Sequence, residues 1–138
     1  MRSKFFKIHE LVPRDLFETI HEDVLWRMIP TEVIETIDRL KETFSNGSMT
    51  INNYFWNGER EWSGLRIKGS PFYSSGSQHT VLNAIDAVFS DYTAEDVRSY
   101  IMAHQSRFLH ITRLEDEVEW LHFDIKETGN SAIVLFRA

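Results

Sequence analysis

EWLHFDI, residues 119–125, alternates residue by residue. Leu121, Phe123 and Ile125 make one wholly apolar face; Trp120, His122 and Asp124 make the other, polar and aromatic. A period of two marks a β-strand with one side in a core, and the polar side suits the floor of a cleft. Working outward, RFLHITRL (107–114) and SAIVLFR (131–137) are also rich in β-forming residues. The intervening LEDEVE and KETGN read as turns. Three strands with short connections predict an antiparallel meander.

The earlier part of the chain reads mainly as helix. Pro13 can open a short helix with Leu16, Phe17 and Ile20 on one side. Val33, Ile37, Leu40 and Phe44 recur at helical spacing, predicting a helix over 31–44 that stops at Ser45-Asn46-Gly47. Residues 48–55 look extended, Asn57-Gly58 looks like a turn, and GSPFYSSG (69–76) reads as a loop. Residues 84–89 suit a central strand, and Thr93 with Asp96 resembles a capping box opening a helix over 94–105. Helices first and strands later give an α+β fold in one domain, 1–138, with an antiparallel sheet flanked by helices.

Composition narrows the function. With 42% hydrophobic and 13% aromatic residues the chain can bury a core. A net charge of −6 with no basic patch argues against a general nucleic-acid role. The absence of cysteine excludes disulfides and thiolate metal sites. No apolar run approaches the ~18 residues of a membrane span, so no membrane partner is expected. No apolar segment of a secretion signal follows the basic start MRSKFFKIHELVPRD. The expectation is a monomer, cytoplasmic at synthesis, that reaches any external target through another factor or within a virion.

The middle of the chain carries the chemistry. SQHTVLNAIDAVF (77–89) places His79 seven residues before Asp86, among apolar neighbours. That spacing cannot put both on one helix face, but a turn after His79 can bring it to a strand bearing Asp86. A catalytic metal of the zinc type takes three protein ligands and leaves one position open. His122, on the polar face of EWLHFDI, is the natural third. Glu119 stands three residues before it, where a carboxylate could serve as general base. Glu117 competes with it for that role, and Asp124 could orient a histidine. Glu18 and His21 repeat the E-x-x-H spacing on a surface helix and are assigned nothing. His9, His21, His104 and His110 read as structural or solvated.

Three elements in order then resemble a family. Ser63-Gly64-Leu65-Arg66, Ser77-Gln78-His79 continuing to Ala84 and Asp86, and Glu119-Trp120-Leu121-His122 match a pattern of S-G-x-R, S-x-H-x-x-G-x-A-x-D and E/D-x-x-H. The chain resembles the zinc peptidases of the D-Ala-D-Ala carboxypeptidase and dipeptidase group, which also includes L-Ala-D-Glu endolysins, over about residues 50–125. The resemblance implies a hedgehog/DD-peptidase-like fold and hydrolysis of peptidoglycan stem peptides. It implies Zn2+ held by His79, Asp86 and His122, with Glu119 as base, Arg66 facing the developing oxyanion, and Ser77 binding substrate. Trp120 is read as lining the cleft. One residue departs from the pattern: Leu82 stands where the family has Gly. That keeps open a second reading, a metal-binding or partner-binding module without activity, including a phage structural component. The hedgehog signalling domain, known chiefly for binding partners, is such a relative. Taken singly, each site residue also has an ordinary reading as a loop, strand or surface polar group.

Overall fold

The computed structural model describes residues 1–68, 70–71 and 76–138. The 69–76 loop expected from the sequence falls largely on residues outside that set. Among the described residues there are four α-helices: α1 (Arg14–Thr19), α2 (Glu22–Met28), α3 (Thr31–Thr43) and α4 (Ala94–Ala103). Five strands, β1 (Met49–Thr50), β2 (Ala84–Phe89), β3 (Arg113–Glu115), β4 (Leu121–Asp124) and β5 (Val134–Phe136), form one sheet in the order β1-β2-β4-β3-β5. The chain is therefore α+β.

The sheet is mixed, which corrects the expected antiparallel meander. β1–β2, β2–β4 and β3–β4 are antiparallel, but β5 pairs with β3 in parallel. The reason is topological. In a meander β5 would lie against β4, but that edge of β4 is taken by β2. β5 still runs opposite to β4. Moved to the free edge of β3, which also runs opposite to β4, it is parallel to its new neighbour. β3 is also shorter than RFLHITRL suggested. Gln105–Arg107 is a turn of 3-10 helix, and pairing begins at Arg113. Residues 48–55 are extended only at Met49–Thr50, and a turn of 3-10 helix covers Tyr54–Trp56.

One face of the sheet meets the helices. Ile85 and Ala87 of β2, Leu114 of β3, and Leu121 and Phe123 of β4 are buried, as are Val97 and Ile101 of α4. α3 adds Val33, Ile34, Ile37 and Leu40 to this core. Each fully buried aliphatic or Phe side chain contributes roughly 1.5–3 kcal/mol through apolar area removed from water. The helix following β2 starts where the sequence places it. The Thr93 hydroxyl accepts from Asp96 N at 3.0 Å, and Thr93 N donates to Asp96 Oδ2 at 3.1 Å.

The connection from β3 to β4 is held from the helix side. The Arg98 guanidinium on α4 donates to the carbonyls of Glu115, Val118 and Trp120 at 3.4, 3.1 and 3.2 Å. Arg98 is 5% exposed, so those carbonyls have a donor where water is scarce. This clamp fixes where the residues at both ends of the connection point.

Leu82 occupies a left-handed conformation, φ 52° and ψ 38°, and its side chain is buried at 1% exposure. Left-handed backbone costs a residue with a Cβ about 1–2 kcal/mol, which glycine avoids. A glycine at the corresponding position of the resembling motif thus has a conformational cause. Here the buried leucine offsets the strain through its packing. Truncating a buried Leu costs about 2–5 kcal/mol, more than the relief. Leu82→Gly is therefore expected to destabilise the protein by about 2 kcal/mol in thermal or urea unfolding. A rise in stability would show that strain at Leu82 outweighs packing.

Candidate metal centre

The face of the sheet away from the core is charged. Alternation along β2, β3 and β4 puts Asp86, Arg113, Glu115, His122 and Asp124 on it, all lining a cleft of about 760 Å³. Asp86 and His122 are direct cross-strand partners in the β2–β4 register. His79 joins them from the 3-10 turn Gln78–Val81 that precedes β2. The αL residue Leu82 turns the chain from that helix into the strand, and Leu82 N donates to His79 O at 3.2 Å.

His79, Asp86 and His122 each offer a ligand atom, all within 4.8 Å of one another, and all three residues are buried. Such a group can hold a metal ion. The hydrogen bonds around it point the same way. His79 Nδ1 lies 2.9 Å from Gly64 O, which can only accept, so Nδ1 carries the proton. In the neutral imidazole this turns the Nε2 lone pair toward Asp86 Oδ1, 3.3 Å away. Two acceptors facing each other in a buried site need a proton or a cation between them. His122 Nδ1 meets the same carboxylate oxygen at 2.8 Å, and its Nε2 meets Asp124 Oδ2 at 3.0 Å. Asp124, with no exposed surface, is held by Arg113 through contacts of 2.7 and 2.9 Å, and Arg113 lies over the Phe136 ring at 4.1 Å. The trio is thus oriented by a backbone carbonyl on one side and a carboxylate on the other, the usual support of metal-binding imidazoles.

The Ser63–Arg66 segment braces this centre. Ser63 O accepts from Asp86 N at 2.8 Å, Arg66 N donates to His79 O at 3.0 Å, and Arg66 Nη2 donates to Asp86 Oδ2 at 3.0 Å. Gly64 is required where it stands: a Cβ there would lie 2.1 Å from Leu11 O. Ser63 N is in turn held by the fully buried Asn52. The sequence reading singled out Ser63 to Arg66 for the arginine alone. Its backbone also bonds the site, through Ser63 O, Gly64 O and Arg66 N.

The structure brings together His79, Asp86, His122, Arg66, Ser77 and Trp120, all of which line the one cleft. The Ser77 hydroxyl accepts from His79 N at 3.2 Å and so caps the 3-10 turn that carries the histidine. Trp120 is 36% exposed. Glu119 is placed elsewhere. It is exposed and lines a separate hollow with Ala87, Tyr92, Glu95 and Arg98. Glu119 lies in the bend 117–120 before β4, so E-x-x-H here spans a loop–strand junction and not a helix, where residues three apart would share a face. The acidic residue that sequence reasoning did not single out is Glu115. It is 8% exposed and lines the same cleft as His79, Asp86 and His122. Its signal was its parity with Arg113, once the strand is drawn at 113–115.

The charges at the centre interact strongly. Burial pushes the Asp86 carboxyl up, but its hydrogen bonds with His122 and His79 outweigh that and hold it well below the usual range. Burial pulls His122 down, yet bonds to Asp124 and Asp86 outweigh it and raise the ring to about 9. Burial lowers Arg66, opposed by the negative charges of Asp86 and Glu115. Arg113 is raised chiefly by its bond to Asp124. No protein-family model, curated protein or solved structure matches the chain. Among the described residues no helix is long and apolar enough to cross a membrane.

A pH dependence follows for the metal-free protein. His122 rises from 6.5 to about 9 on folding, so its charged form stabilises the fold fully below about pH 6.5. That contribution is lost as pH climbs through about 9. Asp86 and Asp124 are depressed from 3.8, so their contributions persist above that value and fall away only in acid. Metal-free wild type is expected to lose urea stability between pH 6.5 and 9 relative to His122→Asn. Parallel profiles for the two would contradict the charged His122.

Proposed function

We propose that this chain is a zinc-dependent peptidase acting on peptidoglycan stem peptides, of the D-Ala-D-Ala carboxypeptidase or endopeptidase type. The observation that carries the reading is the buried His79–Asp86–His122 group on the floor of a cleft, with Arg66 bonded to Asp86. The donor set, two imidazoles and one carboxylate, fits zinc as well as other divalent first-row ions. The choice of zinc rests on the three ordered motifs. Zinc bound there would supply Lewis-acid polarisation of a peptide carbonyl and activation of a water molecule.

The chain's own groups do the rest. Gly64 O holds His79 in the tautomer that presents Nε2, and Asp124 fixes the plane of His122. Arg66 supplies a fixed positive charge beside the site, where the carbonyl oxygen gains negative charge during attack. Trp120 and Phe136 give the cleft apolar walls, and Arg60, Glu59 and Glu61 line it as well. A stem peptide offers carboxylates and amides for such a mixed lining to recognise. The substrate is thus a short, charged peptide held across the sheet face.

A second reading, a metal-binding or partner-binding module without hydrolysis, is favoured by one observation. The carboxylate of the E-x-x-H motif, Glu119, lines a different hollow from the metal ligands. Elemental analysis and hydrolysis assays separate the two readings. Protein supplied with zinc and freed of excess is expected to retain about one zinc per chain, lost in His122→Ala, and to cleave peptidoglycan stem peptides. Arg66→Ala should keep zinc and lower kcat/KM by at least about 100-fold, the scale of removing one oxyanion-stabilising donor. Zinc without cleavage would establish the metal-binding module instead, and failure to retain zinc would overturn the peptidase reading and leave only a partner-binding module.

A further inference from the structure

Resting on the peptidase reading, we infer that Glu115, and not Glu119, is the carboxylate that takes the proton from the attacking water. β3 and β4 pair with Arg113 opposite Asp124 and Leu114 opposite Phe123. Continuing that register by one residue sets Glu115 beside His122. On its other side His122 is opposite Asp86. Three adjacent strands thus carry a row of Asp86, His122 and Glu115 on the cleft face, with opposite residues about 4.5–5.5 Å apart at Cβ. Arg113 and Asp124 form the next row along the same face.

Glu115 is suited to this role by what it lacks. The residue is 8% exposed, yet its carboxylate makes no hydrogen bond or ion pair with any described residue. Its negative charge acts on Arg66 and Arg113 across the cleft, but no hydrogen bond ties the carboxylate to either. Its backbone is fixed all the same. Arg98 Nη1 donates to Glu115 O, and Asp116 N donates to Phe136 O at 2.7 Å. So the carboxylate is positioned by the sheet and left available to whatever occupies the cleft. Glu119 has the opposite situation, exposed and on the far side of the β4 approach.

The proton balance closes without a further reactant. Water oxygen forms a bond to the peptide carbonyl carbon, and its proton passes to Glu115. The C–N bond then breaks, and Glu115 returns the proton to the leaving amine. The products are a carboxylic acid and an amine.

Glu115→Gln and Glu119→Gln, each loaded with zinc, test the assignment. Both are near-isosteric, and zinc content and melting temperature check that each stays folded. Glu115→Gln is expected to lose 10²–10⁴-fold in kcat, the scale of a general base, while Glu119→Gln stays within about threefold of wild type. Titration with a peptide hydroxamate supplies a readout independent of turnover. Its affinity should fall at least about tenfold in Glu115→Gln and hold in Glu119→Gln. Loss confined to Glu119→Gln, or equal loss in both, overturns the assignment and leaves the peptidase reading standing. If wild type cleaves nothing, that reading fails. The titration then decides: selective weakening in Glu115→Gln keeps Glu115 at the ligand, and equal binding removes it.

Discussion

The pairing of β2 with β4 is the constraint on which the rest depends. It sets Asp86 directly opposite His122, so two of the three candidate metal ligands are placed by backbone hydrogen bonds and not by loops. It also occupies the edge of β4 that β5 would otherwise take, which sends β5 to β3 and brings Phe136 into the cleft. A slip of one residue in this register would carry Asp86 into the core and Ile85 into the cleft. The fully buried Ile85, Leu121 and Phe123 forbid that slip. Core packing on one face thus determines ligand geometry on the other.

Around this pair the molecule supplies fixed partners for each polar group. His79 is held by Gly64 O, His122 by Asp124, Asp124 by Arg113, and Asp86 by Arg66 and Ser63 O. The Ser63–Arg66 segment can lie this close only because Gly64 has no side chain to meet Leu11. On the helix side, Arg98 does for the β3–β4 connection what Gly64 does for His79. It satisfies three carbonyls that would otherwise be buried without a donor. Removing either anchor would leave buried polar groups unpaired, at about 1–3 kcal/mol each.

Much of this was legible in the sequence, and the failures have physical causes. His79, Asp86 and His122 could be read because their residue types suit a metal, the spacing of His79 and Asp86 fits a turn into a strand, and His122 sits on the polar face of EWLHFDI. The α3 segment carried a helical period, β2 a short apolar run, and Thr93 with Asp96 marked the start of α4. Helix α2 was missed, since only Leu25 and Trp26 of its seven residues are buried and give it little pattern. The neighbour of β5 could not be read, because strand propensity fixes direction and alternation but not which edge is free. Glu119 was favoured by its motif spacing, but the bend 117–120 before β4 places it in a different hollow from His122. Leu82 looked like a departure from a glycine pattern. Its left-handed φ explains the glycine, and its burial explains how a leucine is tolerated.

His79, Asp86 and His122 together could hold one metal ion. X-ray absorption spectroscopy of the zinc-loaded protein tests this most directly. The account predicts four or five nitrogen and oxygen neighbours at about 2.0–2.2 Å, with the outer-shell scattering of two imidazole rings. His122→Ala or His79→Ala, if it still binds zinc, should show one ring. A wild-type spectrum with one imidazole or none would contradict the account, because zinc would then be bound elsewhere and the buried trio would be a hydrogen-bonded cluster alone.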